Sequence, residues 1–284
     1  MAEKISGFEE YYLQRTSKDR TIKLIVLRQT RESYLNMVNK IYVAMIKYRN
    51  DKKYGTNIFN RKIKREIKSI IDDFVSKLNK NLLKKCILLA NYSIRSEKKD
   101  ARSINLKSSV DPNGYADTVY LYIEDINGYI LTQRDRMLNQ IWSSIRSDCI
   151  KIQRLMKYEN ISRNKAREIC VSSNHTDIMF VFEDKLNRKR DAGGYFEMLA
   201  RSTMSSVELD SYIYAMITDG FDTAKILECA GENKCSKYDG TLISISGKNK
   251  NLPSIYEISD GGKIWHPNCS HLISVIEEQD DLNR

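Results

Sequence analysis

The stretch that decides the fold is residues 119–155, which read VYLYIEDINGYILTQRDRMLNQIWSSIRSDCIKIQRL. Its apolar positions keep a near-heptad spacing at Val119, Ile123, Ile126, Ile130, Leu138, Ile141, Ile145, Ile152 and Leu155. This spacing predicts a helix of about forty residues, interrupted on its core face by Arg134. A helix of that length fits a bundle or an extended arm. Coiled-coil pairing produces the same pattern, but we favour packing within the chain's own core.

Two long helices are predicted before this stretch. The first ends near Asn50, and its core face repeats in steps of four and three at Tyr34, Val38, Ile41, Met45 and Tyr48. The second begins near Asn57 and extends to about Tyr92, with a core face at Ile63, Ile67, Ile70, Phe74 and Leu78. Residues 93–114 are polar and contain the turn-forming sequence Asp111-Pro112-Asn113-Gly114, so we expect a linker or an ordered loop there.

Net charge divides the chain into two parts. Residues 1–190 contain 39 Lys and Arg against 22 Asp and Glu, whereas residues 191–284 contain 8 against 15. A basic helical region can neutralise phosphates or an acidic protein surface. The candidate nucleic-acid contacts flank the core face of the second helix and are Lys62, Lys64, Arg65 and Lys68. A bias toward Lys on solvated helix faces explains the same charge, because the basic residues form no single stripe with interleaved aromatic residues.

Shorter elements are predicted after the third long helix. A short helix is expected from about Asn164 to Cys170, a strand over residues 176–183, and a helix from Tyr195 to about Ile217 that ends at Asp219-Gly220. Further strands are expected at 223–227, 241–245 and 271–276. The predicted fold is therefore α+β. It has a basic long-helix region, residues 1–175, followed by a small α+β domain with short antiparallel strands, residues 176–284.

Cysteine and histidine residues concentrate near the end of this second part. The candidate metal ligands are Cys229, Cys235, His266, Cys269 and His271. Thiolates and imidazoles together can fill a tetrahedral zinc shell. No N-terminal segment reads as a secretion signal, so we expect reduced thiols. The Cys-x5-Cys spacing is looser than a Cys-x2-Cys knuckle, so a structural zinc ion competes with simple burial of the thiols.

Several classes of function have no support in the sequence. No run of eighteen apolar residues is present, so we expect no membrane span. A His-Glu-x2-His motif, a paired-carboxylate motif and a Gly-rich phosphate loop are all absent from the sequence. No motif therefore supplies the general base that a catalytic zinc needs for hydrolysis. We therefore expect that the protein is not an enzyme.

Four sequence blocks, in order, resemble a known protein family. They are Tyr195-Phe196-Glu197-Met198-Leu199-Ala200-Arg201-Ser202-Thr203, Asp219-Gly220-Phe221-Asp222, Cys235-x4-Gly240-x3-Ser244-x-Ser246-Gly247-Lys248, and His266-Pro267-Asn268-Cys269-x-His271. Together they resemble the C-terminal region of tailed-phage minor capsid proteins, the head-morphogenesis proteins of the MuF-like, minor capsid protein 2 type. The resemblance covers residues 178–276, and the helical N-terminal half shows only a general likeness.

The resemblance implies a structural virion protein that is made in the bacterial host cytoplasm. Such a protein is present in few copies at the portal vertex on the capsid interior, where it assists head assembly and DNA packaging or delivery. Its implied partners are the portal protein, other phage head proteins and packaged double-stranded DNA. The alternatives are a DNA-binding accessory protein with a zinc staple and, less favoured, a zinc-dependent hydrolase or toxin.

The same resemblance implies roles for single residues. Cys235 matches the second cysteine of a Cys-x2-Cys pair in the family, and Glu232 stands in the place of the first. Arg201 matches a family arginine and is expected to make a structural ion pair. Asp239 and Gly240 are expected to form the turn to which the Cys and His residues pin the final strand.

Overall fold

The computed structural model describes residues 7–172, 180–183, 189–227, 234–266, 269 and 271–276. Within these ranges the chain forms six α-helices, which are α1 (Gly7–Asn50), α2 (Asn57–Ser103), α3 (Ala116–Tyr158), α4 (Arg163–Ser172), α5 (Ala192–Asp219) and α6 (Ile255–Ser259). The strands are β1 (Val181–Glu183), β2 (Lys189–Asp191), β3 (Thr223–Ile226), β4 (Leu242–Ser244) and β5 (Ile273–Val275). The described residues are 74% helical, with the long helices in the N-terminal part and a small antiparallel sheet near the C-terminus, which confirms the α+β prediction.

The chain separates into two compact units that interleave in sequence. Unit 1 takes the described residues of Met1–Leu27, Asn81–Ile126 and Met198–Arg284, and unit 2 takes those of Arg28–Lys80 and Asn127–Glu197. The units therefore divide the chain differently from the predicted boundary between residues 175 and 176. The physical reason is helix length, because a 44-residue helix such as α1 rises about 65 Å and so can contribute to more than one compact core.

The long helices of unit 2 each bury one apolar face. Tyr34 of α1, Phe74 of α2 and Phe196 of α5 form an aromatic cluster with ring centroids 5.1–6.2 Å apart. The predicted core positions Ile41, Met45, Tyr48, Ile63 and Ile67 are buried around the same helices. The predicted end of α1 at Asn50 and the predicted extent of α3 are confirmed.

The end of α2 differs from the prediction. The helix continues to Ser103, so the expected linker from residue 93 onward begins only after that residue. Polar side chains in this last part of the helix are buried instead of solvated: Ser93 Oγ donates to the Glu208 carbonyl at 2.6 Å, and Asp100 is 1% exposed. A polar sequence was therefore mistaken for a loop, because its polar groups are satisfied inside the protein.

Glycines mark both ends of α5. A Cβ atom at Gly193 would lie 2.7 Å from the Tyr34 ring, so the first turn of α5 approaches α1 more closely than a side chain permits. Gly220 adopts φ of +81° just after the helix, and the amide of Phe221 donates to the Met216 carbonyl at 2.8 Å. These features confirm the predicted helix end at Asp219-Gly220.

Two small sheets are present in the described ranges. In unit 2, β1 and β2 pair antiparallel, with Phe182 opposite Arg190. In unit 1, the three-stranded sheet has the order β4-β3-β5, and both pairings are antiparallel. Of the strand predicted over residues 176–183, only β1 is described, because residues 173–179 lie outside the described residues. The three predicted C-terminal strands are confirmed.

One apolar core supports the three-stranded sheet. Tyr212 and Met216 of α5 pack with Ile226 of β3, Ile243 of β4 and Ile273 of β5, and each of these side chains is at most 1% exposed. Cys235 belongs to the same cluster, and Cys269 and Trp265 pack at its edge. The cysteines and histidines singled out in the sequence therefore lie where this core meets its loops.

Candidate metal centre

Three of the predicted ligands come together at one point. The sulfurs of Cys235 and Cys269 and a ring nitrogen of His266 all lie within 4.8 Å of one another, close enough to bind a metal ion. Both cysteines are free thiols. The remaining predicted cysteine ligand, Cys229, lies outside the described residues.

Backbone geometry brings these groups together from two loops. Cys235 precedes the one-turn 3₁₀ helix Ser236–Tyr238, and its carbonyl accepts from the Tyr238 amide at 3.0 Å. In the second loop, Trp265 has φ of +54°, a conformation that a large side chain rarely adopts. The amide of Cys269 then donates to the His266 carbonyl at 2.7 Å. Strained backbone of this kind is concentrated at functional and binding sites.

The environment of the Cys269 sulfur combines burial with backbone donors. Burial raises the pKa of the Cys269 thiol, whereas the backbone amides of His271 and Trp265 lower it, and the neighbouring Cys235 raises it further. Amides directed at a sulfur stabilise its thiolate form. A metal ion bound by the Cys269 sulfur would displace the thiol proton. Its positive charge would also offset the unfavourable effect that the neighbouring Cys235 has on the thiolate form.

His271 lies beside the three-residue group and not within it. Its Nδ1 is 3.0 Å from Cys269 Sγ, and its Nε2 is 2.5 Å from Asp239 Oδ1. The residue is 4% exposed. Imidazole thus links a carboxylate on one side to a thiol on the other.

This link connects the turn before β4 to the start of β5. Asp239 and Gly240 form that turn: Gly240 has φ of +75°, and its amide donates to the Ile226 carbonyl of β3 at 2.9 Å. His271 lies two residues before β5. The contact between Asp239 and His271 therefore ties the turn to the final strand, as the sequence predicts.

A second cluster in the same unit organises the turn after β4. The Asp222 carboxylate accepts from Ser244 Oγ at 2.7 Å and from the Ser246 amide at 2.6 Å, and these bonds lower the pKa of Asp222 even though burial raises it. Ser244 Oγ accepts in turn from the Gly247 amide at 2.9 Å. Gly247 has φ of +70°, which explains glycine at this position. These residues hold a turn and offer no reactive group.

The other predicted site residues lie on exposed or half-buried helix faces. Arg201 is half-buried on α5, and its expected ion pair stays a prediction. The four candidate nucleic-acid contacts are all exposed on α2. Lys64 Nζ lies 5.3 Å from the centre of the Trp142 ring, and Lys68 pairs with Asp72 at 3.1 Å.

Sequence reasoning missed a buried polar network in unit 1. Asp100 accepts from Arg15 at 3.0 Å and from the hydroxyl of Tyr212, and Ser274 Oγ lies 3.3 Å from the same carboxylate oxygen. The Val275 amide donates to the Tyr212 hydroxyl at 3.1 Å. The network joins α1, α2, α5 and β5. No local motif indicates it, because its members come from four distant parts of the chain.

Two kinds of chemistry are open to the metal centre. Cys269, His271 and Asp239 have the connectivity of a thiol, imidazole and carboxylate triad, in which the imidazole accepts the thiol proton. The alternative is metal coordination, which uses the same Cys269 sulfur. The second thiol of Cys235 and the second imidazole of His266, both within 4.8 Å, favour metal coordination because a nucleophile needs neither.

Comparisons of this chain with protein-family models, with curated proteins and with solved structures find no match. Within the described ranges, none of the helices has the combination of length and apolar character that crossing a bilayer requires. A role for the chain is therefore argued from its own residues and their geometry.

Proposed function

We propose that this chain is a structural minor capsid protein of a tailed phage or prophage, which associates with the portal vertex inside the head and assists head assembly and DNA packaging or delivery. One observation carries the proposal: residues of three of the four resembling sequence blocks contact one another in unit 1. Asp222 accepts hydrogen bonds from Ser244 and Ser246, and Cys235 lies with His266 and Cys269. These blocks therefore form one connected set in the folded protein.

The metal centre fits one structural zinc ion. Cys235, His266 and Cys269 supply three donors of the type that zinc prefers. His271 lies beside these three donors, where its Nδ1 faces Cys269 Sγ at 3.0 Å and its Nε2 faces the Asp239 carboxylate. In this position it orients the ligand Cys269, as residues around a metal site usually do. Zinc held by the three donors would supply a cross-link between two loops.

The basic helices support contact with packaged DNA. Residues 1–190 carry a net charge of +17 and residues 191–284 a net charge of −7. The exposed residues Lys62, Lys64, Arg65 and Lys68 can contact phosphates without unfolding any element. This attraction weakens steeply with salt, because binding releases the counterions of the DNA.

The proposal is tested by isolating heads from the host that carries the gene, with the chain labelled by an epitope tag. We expect the protein to co-purify with DNA-filled heads in few copies, to resist protease until the heads are opened, and to cross-link to the portal protein. A matched particle preparation from a strain without the gene controls for contamination. Absence of the protein from heads, or its digestion in intact heads, contradicts the proposal.

The second candidate, a DNA-binding accessory protein with a zinc staple, is favoured by the basic charge alone. Both candidates expect duplex binding by the purified protein. They differ in the particle experiment, since an accessory protein stays in the cytoplasm and is missing from purified heads.

A further inference from the structure

A cavity of about 370 Å³ lies in unit 2 between α2 and α3. It is lined on α2 by Asn60, Arg61 and Lys64, and on α3 by Trp142, Ile145 and Arg146. Ligand pockets for small molecules usually have volumes of about 300–1,000 Å³. The cavity is therefore large enough for a small organic ligand.

Three cations converge on this cavity without a counter-charge. Arg61, Lys64 and Arg146 are exposed, and among the residues that the structure describes no carboxylate lies within 4.0 Å of their charged atoms. Other basic residues of the same helices are paired: Lys68 with Asp72 at 3.1 Å, and Arg134 with the same aspartate at 2.6 Å. Unpaired cations around a concave surface raise the local potential and attract an anion.

The cavity also has an aromatic wall. Trp142 is half-buried, and Lys64 Nζ lies 5.3 Å from the centre of its ring. Ile145 is buried and lines the same cavity, so its wall also has an apolar part. An indole beside guanidinium groups is the combination with which proteins stack a nucleobase and hold its phosphate.

Asn60 adds an unsatisfied polar group to the same wall. Its Nδ2 lies 3.3 Å from Cys149 Sγ, and its Oδ1 has no hydrogen-bond partner in the described protein. Buried polar atoms usually have a partner, so the Oδ1 atom of this lining residue is an exception among the described residues.

We propose that the cavity binds a nucleotide, with the base against Trp142 and the phosphate between Arg61, Lys64 and Arg146. The base must be unpaired, because a base inside a duplex is stacked on its neighbours and cannot reach the indole. A free nucleotide and an unpaired nucleotide of a single strand share this chemistry. The proposal does not rest on the proposed role at the portal vertex.

The test uses tryptophan fluorescence of the full-length protein. The chain has 2 tryptophans, so the Trp265→Phe variant leaves Trp142 as the only reporter. The probes are thymidine monophosphate, a single-stranded thymidine dodecamer, a duplex of the same length, and inorganic phosphate. We expect saturable quenching by the monophosphate, the dodecamer or both, and no quenching by inorganic phosphate. The monophosphate alone points to a free nucleotide as the ligand, and the dodecamer alone points to single strands.

Matched variants test which residues bind the probe. In the Trp265→Phe background, Arg61→Ala and Arg146→Ala should each weaken binding about tenfold, since each removes a charged group that holds the phosphate. Arg154→Ala is the control, because Arg154 is an exposed arginine of α3 that does not line the cavity. In the protein with both tryptophans exchanged, Trp142→Leu should lower dodecamer affinity, measured by anisotropy of a labelled strand, about tenfold or more.

Four results overturn the proposal. They are quenching by none of the probes, equal Trp142 quenching by the duplex, an equal loss of affinity in Arg154→Ala and Arg61→Ala, and unchanged dodecamer affinity in Trp142→Leu. Circular dichroism of each variant establishes that it is folded. Should Arg61→Ala fail this check, Lys64→Gln replaces it, with the exposed Lys80→Gln of the same helix as its control.

Discussion

The metal centre of unit 1 and the cavity of unit 2 hold their polar side chains in opposite ways. At the metal centre the groups are buried and touch one another: His271 is 4% exposed and lies between Asp239 and Cys269. At the cavity, Arg61 and Arg146 are exposed and have no described carboxylate within 4.0 Å. Polar groups that satisfy one another stabilise a fold, whereas unpaired ones leave interactions for a ligand. We therefore interpret the metal centre as a site that joins parts of the chain and the cavity as a site that binds a ligand.

Loss of the metal should have the largest effect, because the metal centre joins two loops to one core. We expect Cys269→Ser, or removal of zinc with a chelator, to lower the free energy of unfolding by about 3–5 kcal/mol, since metal-binding energy contributes directly to folding. Elemental analysis should find one zinc per chain in the native protein and none in the variant. Cys149→Ser, which changes a thiol in unit 2, should keep both the zinc and the melting temperature to within a few degrees. Equal melting of native protein and Cys269→Ser contradicts the structural role.

The buried network of unit 1 should be nearly as sensitive. Asp100→Ala removes the carboxylate that pairs with the buried Arg15 guanidinium at 3.0 Å, and breaking a buried ion pair costs about 3–5 kcal/mol. Asp72→Ala is the matched change in unit 2, where the carboxylate is 39% exposed and pairs with Lys68 and Arg134. It should cost less than about 1 kcal/mol, as surface ion pairs usually do. Urea denaturation of both variants measures the two losses of stability. Similar midpoints for Asp100→Ala and Asp72→Ala would contradict the prediction that the buried pair matters more.

Unit 1 should also lose stability as the pH rises. Burial, and after it the nearby Asp219 carboxylate, raise the pKa of Glu97 to about 7. Between the unfolded pKa near 4.5 and this value, the folded protein holds a proton that the unfolded chain has lost, so the stabilisation present below pH 4.5 disappears by about pH 7. In the Glu97→Gln variant, the loss of folding stability with rising pH should be smaller by about 1–2 kcal/mol. Thermal melting from pH 5 to pH 8 checks it. If the melting temperature of Glu97→Gln falls with pH as steeply as that of the native protein, another group is responsible.

The smallest effect is expected on the exposed basic face of α2. Lys62→Ala and Arg65→Ala should leave the melting temperature unchanged, because both side chains are exposed. Each should weaken duplex DNA binding and reduce the slope of log affinity against log salt by about one for every phosphate that the variant no longer neutralises. The exposed Lys84 of the same helix is the control for charge alone. An equal change in slope for Lys84→Ala indicates diffuse attraction and no defined face.

Periodicity predicted the long helices because a repeating apolar face leaves a signal in every turn. The same reasoning failed over residues 93–103, where Ser93 and Asp100 are polar but buried, and local sequence does not show which polar groups find partners. The boundary at residue 175 was predicted from the change from long helices to shorter elements, yet the compact units exchange segments within α1, α2, α3 and α5. The order of elements describes sequence neighbours, whereas compact units depend on contacts between distant segments.

For the candidate sites too, the sequence revealed some residues and missed others. The Cys and His residues were visible because such residue types are rare and their donor atoms are suited to metal. Arg61 and Arg146 were not visible, because they belong to a chain rich in basic residues and come from helices about eighty positions apart. Trp142 gave no signal either, since an aromatic residue on a helix is usually part of a core.

The sequence alone determined the long helices and the three C-terminal strands, where α5 ends and which residue types are able to bind a metal. These properties depend on side-chain spacing and on the backbone freedom of glycine, which act over a few residues. Only the tertiary structure decided that His271 lies between Asp239 and Cys269, and that Arg61, Lys64 and Arg146 line one cavity with Trp142. Those arrangements depend on distances between segments far apart in the chain, which are set by packing of the whole core and not by local pattern.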